Sequence, residues 1–246
     1  KTEINSKLVY LITLAKSYLP YHNWIKCRLN NGNNLELNRF SVSEKQIDDF
    51  LVFCHQKKYP AKSSIVTTGE VSQSLFYLIE GAASVIAQDK DGHEIIVAYL
   101  NIGQFFGEMG LFNQETTRTA CVRAKTHCIV AEISYQKFKS VINTFPDLMF
   151  LITSQIAQRL CNTTAKVREL AFMDVSGRII NTLLLLSKEP DALTHPEGMQ
   201  IKITRQEIAH LVGCTREVAG RVLKNLEQQG LIEAKGKTIV VYNSRY

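Results

Sequence analysis

The chain has 246 residues, 45% hydrophobic and 21% charged, with a formal net charge of +6. That composition excludes a disordered or collagen-like chain and allows one large or two small globular domains, each with its own core. The basic excess is modest and is spread along the chain, so it suits an anionic partner without by itself pointing to nucleic acid.

Cys27, Cys54, Cys121, Cys128, Cys161 and Cys214 include no C-x-x-C pair. This spacing argues against a zinc or redox motif and for reduced, buried thiols in a cytoplasmic protein. No apolar run approaches the roughly 18 residues of a membrane span. Residues 8–15 are apolar and follow Lys7, like a signal h-region, but no small-residue cleavage site follows them cleanly. The first methionine is Met109, so the numbering is expected to begin in a trimmed chain or at an uncertain point.

Residues 1–38 alternate a short apolar segment with Asn-rich turn sequence and are assigned no function. Ser43 followed by Gln46 matches a capping box, and Ile47, Phe50, Leu51 and Cys54 have helical spacing, which predicts a short helix. β-like runs then occupy 64–66, 75–79, 84–87, 94–100, 120–123 and 128–134, punctuated by Gly69, Gly81, Asp91-Gly92 and Gly103. Strands at such spacing predict a sandwich or barrel, here a compact β-roll.

One loop in that region, residues 107–120, has the makings of a phosphate pocket. Gly107 allows close backbone approach to an anion, Arg118 can pair with it bidentately, and the Thr119 hydroxyl can add a contact. A carboxylate is repelled by phosphate, so Glu108 suits a ligand hydroxyl, as acidic residues do with ribose. Phosphate and ribose together mean a nucleotide. A glycine turn beside a surface salt bridge accounts for the same residues.

After Phe145-Pro146-Asp147, an unbroken helical pattern runs to about Phe172. Ile152, Ile156, Leu160, Thr163, Val167 and Leu170 fall at coiled-coil-like steps, which predicts self-association; a helix packed on its own domain is the alternative. Thr163 and Thr164 place adjacent hydroxyls at that seam, able to reach a base edge or to serve as neutral surface residues.

Residues 174–246 read as a second domain. Asp174 is placed to cap a helix to Ser187, with Val175, Ile179, Ile180, Leu183 and Leu186 on its buried face. Residues 188–199 read as a Pro-containing loop turning at Glu197-Gly198, and 201–203 as a short strand. Thr204 with Glu207, Gly213 and Thr215 then give helix-turn-helix spacing. On the second helix Val218, Val222, Leu223 and Leu226 are expected inward, and Arg216, Glu217, Arg221 and Lys224 outward. Arginine can read guanine and glutamate can accept from cytosine N4, so this face suits the major groove; an ordinary solvated face is the alternative. A hairpin follows, with Lys235 and Lys237 near its turn, placed for phosphate contact.

The strings GEMGLF, VRAKT, ISY, DVSGRI, THPEGMQIKITRQEI, VGCTRE and GKTIVVY closely resemble the Crp/Fnr family of transcription regulators, from about residue 50 to the C-terminus. The resemblance implies an α+β protein: a cyclic-nucleotide-binding β-roll over 39–145, a long dimerisation helix and hinge over 146–173, and a winged helix-turn-helix over 174–246. Residues 1–38 remain an N-terminal extension without a family counterpart.

Carried over residue by residue, the resemblance implies that Gly107, Arg118 and Thr119 hold the cyclic phosphate of cyclic AMP and Glu108 its ribose hydroxyl. Arg159 lies near Glu108, Thr163 meets the adenine, Thr164 contributes from the partner chain of a homodimer, and Val85 and Leu100 line the pocket. For DNA, Arg216, Glu217 and Arg221 match the family's base readers, with Arg205 and Lys224 beside them. This implies a two-fold site with TGTGA-like half-sites. Val218 and Ala219 depart from the family's common Thr-Val. RNA polymerase is an implied partner, through Ala192, Thr194, His195 and Gly198 in one loop and through His55 with Lys137.

Three other readings fit less well. An iron–sulfur sensor of this fold needs a cysteine cluster before the β-roll, where only Cys27 and Cys54 stand. A haem sensor needs an axial ligand, for which His93 and His127 are candidates. A cyclic-nucleotide module acting on a protein partner leaves the reading helix unused. No nucleophile–base pair or metal cluster suggests an enzyme.

Overall fold

The computed structural model describes residues 42–112, 117–189, 192–242 and 244. The 1–38 extension and Cys27 lie outside the described residues. Two compact units emerge, one reaching Thr163 and the other starting at Thr164, so the division falls inside the long helix.

The first unit opens with α1 (Glu44–Leu51), whose Ser43 hydroxyl accepts from Gln46 N at 3.2 Å while Ser43 N donates to Gln46 Oε1 at 2.9 Å. The capping box expected from the sequence is complete. The strands follow: β1 (His55–Tyr59), β2 (Ser64–Val66), β3 (Ser74–Glu80), β4 (Ala83–Gln88), β5 (Glu94–Leu100) and β6 (Phe105–Phe106). The short α2 (Met109–Phe112), β7 (Cys121–Ala124), β8 (Cys128–Ser134), α3 (Tyr135–Val141) and α4 (Asp147–Phe172) complete the series.

Two antiparallel sheets form, ordered β1-β8-β3-β6 and β2-β7-β4-β5. Both send alternate residues into one core: Phe76, Leu78, Phe106, Cys128 and Val130 from the first meet Val66, Ala83, Leu100, Val122 and Ala124 from the second. The other face of the first sheet is also covered. Leu75, Phe105 and Ile133 pack against Phe50 of α1, Phe138 of α3 and Leu148 and Ile152 of α4. Phe50 is 1% exposed with the rings of Phe105, Phe138 and Phe145 at 6.0, 6.2 and 6.3 Å, so it anchors three elements at once. Truncating it to Ala should cost about 3–5 kcal/mol.

Four elements here were not in the sequence reading: β1, β6, α2 and α3. β1 is a strand although His55-Gln-Lys-Lys is exposed, because its backbone pairs with β8 from His55 opposite Glu132 to Tyr59 opposite Cys128. Residues 135–141 are helical, capped by Ser134, whose hydroxyl accepts from Lys137 N at 3.3 Å.

The 26-residue helix α4 divides its apolar seam by depth. Ile152 is 1% exposed in the core and Ile156 packs against it, whereas Leu160 and Val167 are 66% and 60% exposed. Its first turns therefore pack on their own unit, as the alternative held, while Leu160 and Val167 keep most of their surface exposed.

The second unit contains α5 (Val175–Leu186), β9 (Leu193–His195), β10 (Gly198–Lys202), α6 (Arg205–Val212), α7 (Arg216–Gln228), β11 (Ile232–Lys235) and β12 (Thr238–Tyr242). Its antiparallel sheet runs β11-β12-β10-β9, and Ile179, Leu183, Ile208, Ala209, Leu223 and Ile239 share the core. Asp174 caps α5 through Gly177 N at 2.8 Å.

The 188–199 segment is not simply a loop. It contains β9, turns at Pro196-Glu197 rather than Glu197-Gly198, and enters β10 at Gly198 rather than at 201. Backbone pairing of Gly198 with both His195 and Tyr242 decides this, which side-chain pattern does not encode. On α7 Leu223 and Leu226 are buried as expected and Val222 packs against the core, but Ala219, 0% exposed, joins them in place of the half-buried Val218.

Candidate functional site

Arg118 is 8% exposed and lies over the Phe76 ring, with 5.2 Å from guanidinium carbon to ring centroid. Its Nη1 donates to Gly107 O at 3.0 Å and to Tyr135 Oη at 3.2 Å, and its Nη2 donates to Ser74 O at 2.7 Å. Its own backbone is clamped, with Arg118 N donating to Glu70 O at 2.8 Å and Gly69 N donating to Arg118 O at 2.9 Å. Among the described residues no carboxylate pairs with this buried cation. Carbonyl and hydroxyl oxygens orient the fork without neutralising it, which leaves a site that favours an anion.

Gly107 makes this packing possible. It sits at φ +77°, and a Cβ there would lie 2.8 Å from Arg118 Nη1 and 3.0 Å from Phe76 Cδ2. Glu108 beside it is buried at 8% exposure. Arg159 of α4 holds it, with Nη1 to Oε1 at 3.1 Å, while Arg159 Nη2 donates to Phe105 O. Gln155, one turn earlier, accepts from Phe105 N at 2.8 Å and donates to Gly103 O at 2.9 Å. A single face of α4 thereby fixes the chain entering the site.

Thr119 is exposed next to Arg118, and Thr163 and Thr164 are exposed on α4. Leu100 is fully buried in the β-roll core, with Val85 half-buried against it. Residues 113–116 of the 107–120 loop lie outside the described residues. Tyr135, Ser74 and Gln155 were missed by sequence reasoning. Ser134 as a helix cap could have located Tyr135, whereas Ser74 acts through its carbonyl and Gln155 through a register that no linear pattern shows.

In the second unit, Gly213 ends α6 at φ +69° and its N donates to Ala209 O at 2.9 Å. Thr204 and Thr215 cap α6 and α7 through Glu207 N at 3.1 Å and Val218 N at 3.3 Å. Arg205, Arg216, Glu217, Arg221 and Lys224 are all exposed. The Glu217 backbone N–H and the Thr215 hydroxyl hold the Glu217 carboxyl below its usual range, which keeps it an acceptor. Lys235 and Lys237 are exposed at the β11–β12 turn, Lys235 paired with Glu233. Arg178 ties this unit together, donating through Nη1 to Met173 O at 2.9 Å and through Nε to Val212 O at 3.0 Å.

The remaining candidates are dispersed. Thr194 is exposed and His195 half-buried, Ala192 packs against the core, and Gly198 is buried where a Cβ would strike Val241 O. His55 is exposed on β1, and Lys137 Nζ lies 5.9 Å from the Phe53 ring centroid. Of the two candidate haem ligands, His127 is exposed and His93 Nδ1 lies 2.8 Å from Asp89 Oδ2 in the exposed β4–β5 turn. Among the described cysteines only Cys128 is buried and the others are half-buried, all as free thiols.

Family models match in two places: a cyclic nucleotide-binding domain over residues 56–145 and a Crp-like helix-turn-helix domain over 177–245. The cAMP-activated global transcriptional regulator CRP of Salmonella typhimurium is 54% identical over 203 residues, covering 82% of this chain and 97% of its own length. The chain belongs to the Crp/Fnr family of transcription regulators. Another relative in the family, the cAMP-activated global transcriptional regulator Vfr of Pseudomonas aeruginosa, is 52% identical over 82% of this chain and 95% of its own. Among solved structures, the c-di-GMP responsive global regulator CLP of Xanthomonas campestris matches with TM-score 0.79 and 43% identity, over 82% of this chain and all of its own. Membership makes this chain a DNA-binding transcription regulator rather than an enzyme. Its β-roll is the cyclic-nucleotide-binding domain of the family and its second unit the winged helix-turn-helix.

Proposed function

We propose that this chain is a cytoplasmic homodimeric regulator that binds cyclic AMP in the β-roll and, so liganded, binds palindromic promoter DNA and contacts RNA polymerase. The observation that carries the ligand assignment is Arg118, a buried guanidinium oriented by neutral acceptors and given no counter-charge by the described residues. A cyclic phosphate supplies that charge, Gly107 lets it approach, and Thr119 adds a hydroxyl. Glu108, steadied by Arg159, accepts from the ribose, and Val85 and Leu100 give apolar walls.

Leu160, Val167 and Phe172, at 66%, 60% and 75% exposure, support pairing of α4 with the same helix of a second copy. Pairing would bring Thr163 and the partner chain's Thr164 position to the adenine. Over the chain this corresponds to 39–145 for the ligand, 146–173 for dimer and hinge, and 174–246 for DNA.

On DNA, Arg216, Glu217 and Arg221 read base edges in TGTGA-like half-sites one helical turn apart, about 34 Å. Arg205 and Lys224 supply phosphate contacts. Thr194 and His195, with Ala192 and Gly198 shaping their hairpin, form one polymerase-facing surface, and His55 with Lys137 a second.

Titration calorimetry with cyclic AMP, cyclic GMP and cyclic di-GMP tests the ligand. Cyclic AMP should bind tightest, and Arg118→Leu should lose at least about thirtyfold, the value of one charge-assisted pair near 2 kcal/mol. Preference for the dinucleotide, or an unaffected mutant, rejects the assignment.

A further inference from the structure

Tyr135 opens α3 directly after its cap, and its backbone N donates to Gln73 O at 2.8 Å. Its hydroxyl meets three groups: Gly107 O at 2.5 Å, Ser72 Oγ at 2.9 Å and Arg118 Nη1 at 3.2 Å. A phenol has one proton and two lone pairs. The proton goes to Gly107 O, so Ser72, 9% exposed, donates to Tyr135 Oη, and Arg118 donates to it as well. Arg118 Nη1, Gly107 O and Tyr135 Oη thus close a ring of hydrogen bonds, with Phe76 beneath the guanidinium.

The ring fixes which edge of Arg118 faces a ligand. Among the described residues, Nη1 donates to two closely spaced oxygens, Nη2 to one and Nε to none. The Nε side of the fork is the side left open, and Nε–H together with Nη2–H is spaced for two oxygens of one phosphate. Without the tyrosine hydroxyl, Nη1 keeps only Gly107 O and Nη2 keeps Ser74 O, so the fork is held by two oxygens rather than three and less tightly on the Nη1 side.

We propose that Tyr135, supported by Ser72, is a positioning residue that presents the Nε–Nη2 edge of Arg118 to the ligand phosphate. The proposal rests on the cyclic-nucleotide reading above. Tyr135 touches no ligand in this account and acts only through Arg118 and Gly107.

The test uses the full chain and its Tyr135→Phe and Ser72→Ala variants, titrated with cyclic AMP and with its two phosphorothioate diastereomers, in which sulfur replaces one or the other exocyclic oxygen. Tyr135→Phe should weaken cyclic AMP about tenfold and Ser72→Ala about threefold, since each removes one acceptor or its support. The affinity ratio between the diastereomers should shrink by at least about threefold in Tyr135→Phe, because a loosely held fork distinguishes the two oxygens less well. Wild-type affinity in Tyr135→Phe overturns the proposal. So does an equal loss for all three ligands with a lowered thermal midpoint, which marks a purely structural role. If the wild type binds none of the three, the cyclic-nucleotide reading itself fails and this proposal with it, an outcome distinct from a wild type that binds and a variant that matches it.

Discussion

Arg159 reaches Glu108 across 51 positions of sequence, with Nη1 at 3.1 Å from Oε1, and its other terminal nitrogen holds Phe105 O. One side chain of α4 therefore fixes both the acidic group of the site and the strand that leads into it. Removing it leaves a largely buried carboxylate without its charge partner. Arg159→Leu should destabilise the first unit by about 1–3 kcal/mol and weaken cyclic AMP binding about tenfold, with Glu108→Gln milder in stability. Urea unfolding and ligand titration on both variants check this; an Arg159→Leu protein of unchanged stability and affinity would show the pair to be incidental.

Gly107→Ala should abolish tight ligand binding while the chain still folds. The added methyl would sit 2.8 Å from Arg118 Nη1 at a backbone angle that disfavours side chains, so the fork is displaced before the sheets are. The backbone strain costs about 1 kcal/mol, within what the domain tolerates. Retained circular dichroism with a loss of affinity of at least about tenfold is expected; retained affinity would mean that the guanidinium is not held as described.

Much of this site was legible in sequence, and the limit was physical. Gly107, Glu108 and Arg118 stood out as candidates because a glycine, a carboxylate and a guanidinium share one loop, but a glycine turn beside a surface salt bridge fitted the same letters until Arg118 proved buried with no carboxylate partner among the described residues. Ser43, Thr204, Thr215 and Asp174 were legible as caps for the same reason, each a short polar side chain before a periodic run. The strand β1 was not, because four of its five residues are exposed and only its backbone is used. Nor was β9, whose place comes from pairing with β10. Gln155 works through hydrogen bonds to Gly103 and Phe105, 52 and 50 residues before it, and such a clamp leaves no local trace.

If Glu217 reads cytosine as proposed, that preference should persist well into acid. Its own N–H and the Thr215 hydroxyl favour the ionised form, so its carboxyl titrates below the ordinary value. The acceptor is present above that lowered value and is lost only as pH falls through it. Discrimination at the contacted base pair should be unchanged between pH 7 and about pH 5, and Thr215→Ala should move the onset of its loss upward. Discrimination that already fades at pH 6 would argue that another group reads the base.

Cys54 should be slow toward alkylating reagents. Burial pushes its thiol up to about 11, against a smaller opposing pull from Lys137. At pH 8 almost no thiolate is present, so iodoacetamide labelling should lag behind that of a simple thiol by about a hundredfold and rise only as pH nears 11. Peptide mapping after timed labelling reads this directly; rapid modification at pH 8 would place Cys54 in a more open setting.

If ligand in the β-roll controls DNA binding, that control is read from the affinity for a palindrome of TGTGA half-sites at fixed salt, with and without cyclic AMP, for wild type and Arg118→Leu. Cyclic AMP should tighten wild-type binding at least about tenfold, equivalent to about 1.4 kcal/mol of coupling, with no such gain in the variant. Tight DNA binding that is indifferent to cyclic AMP in both proteins would contradict it.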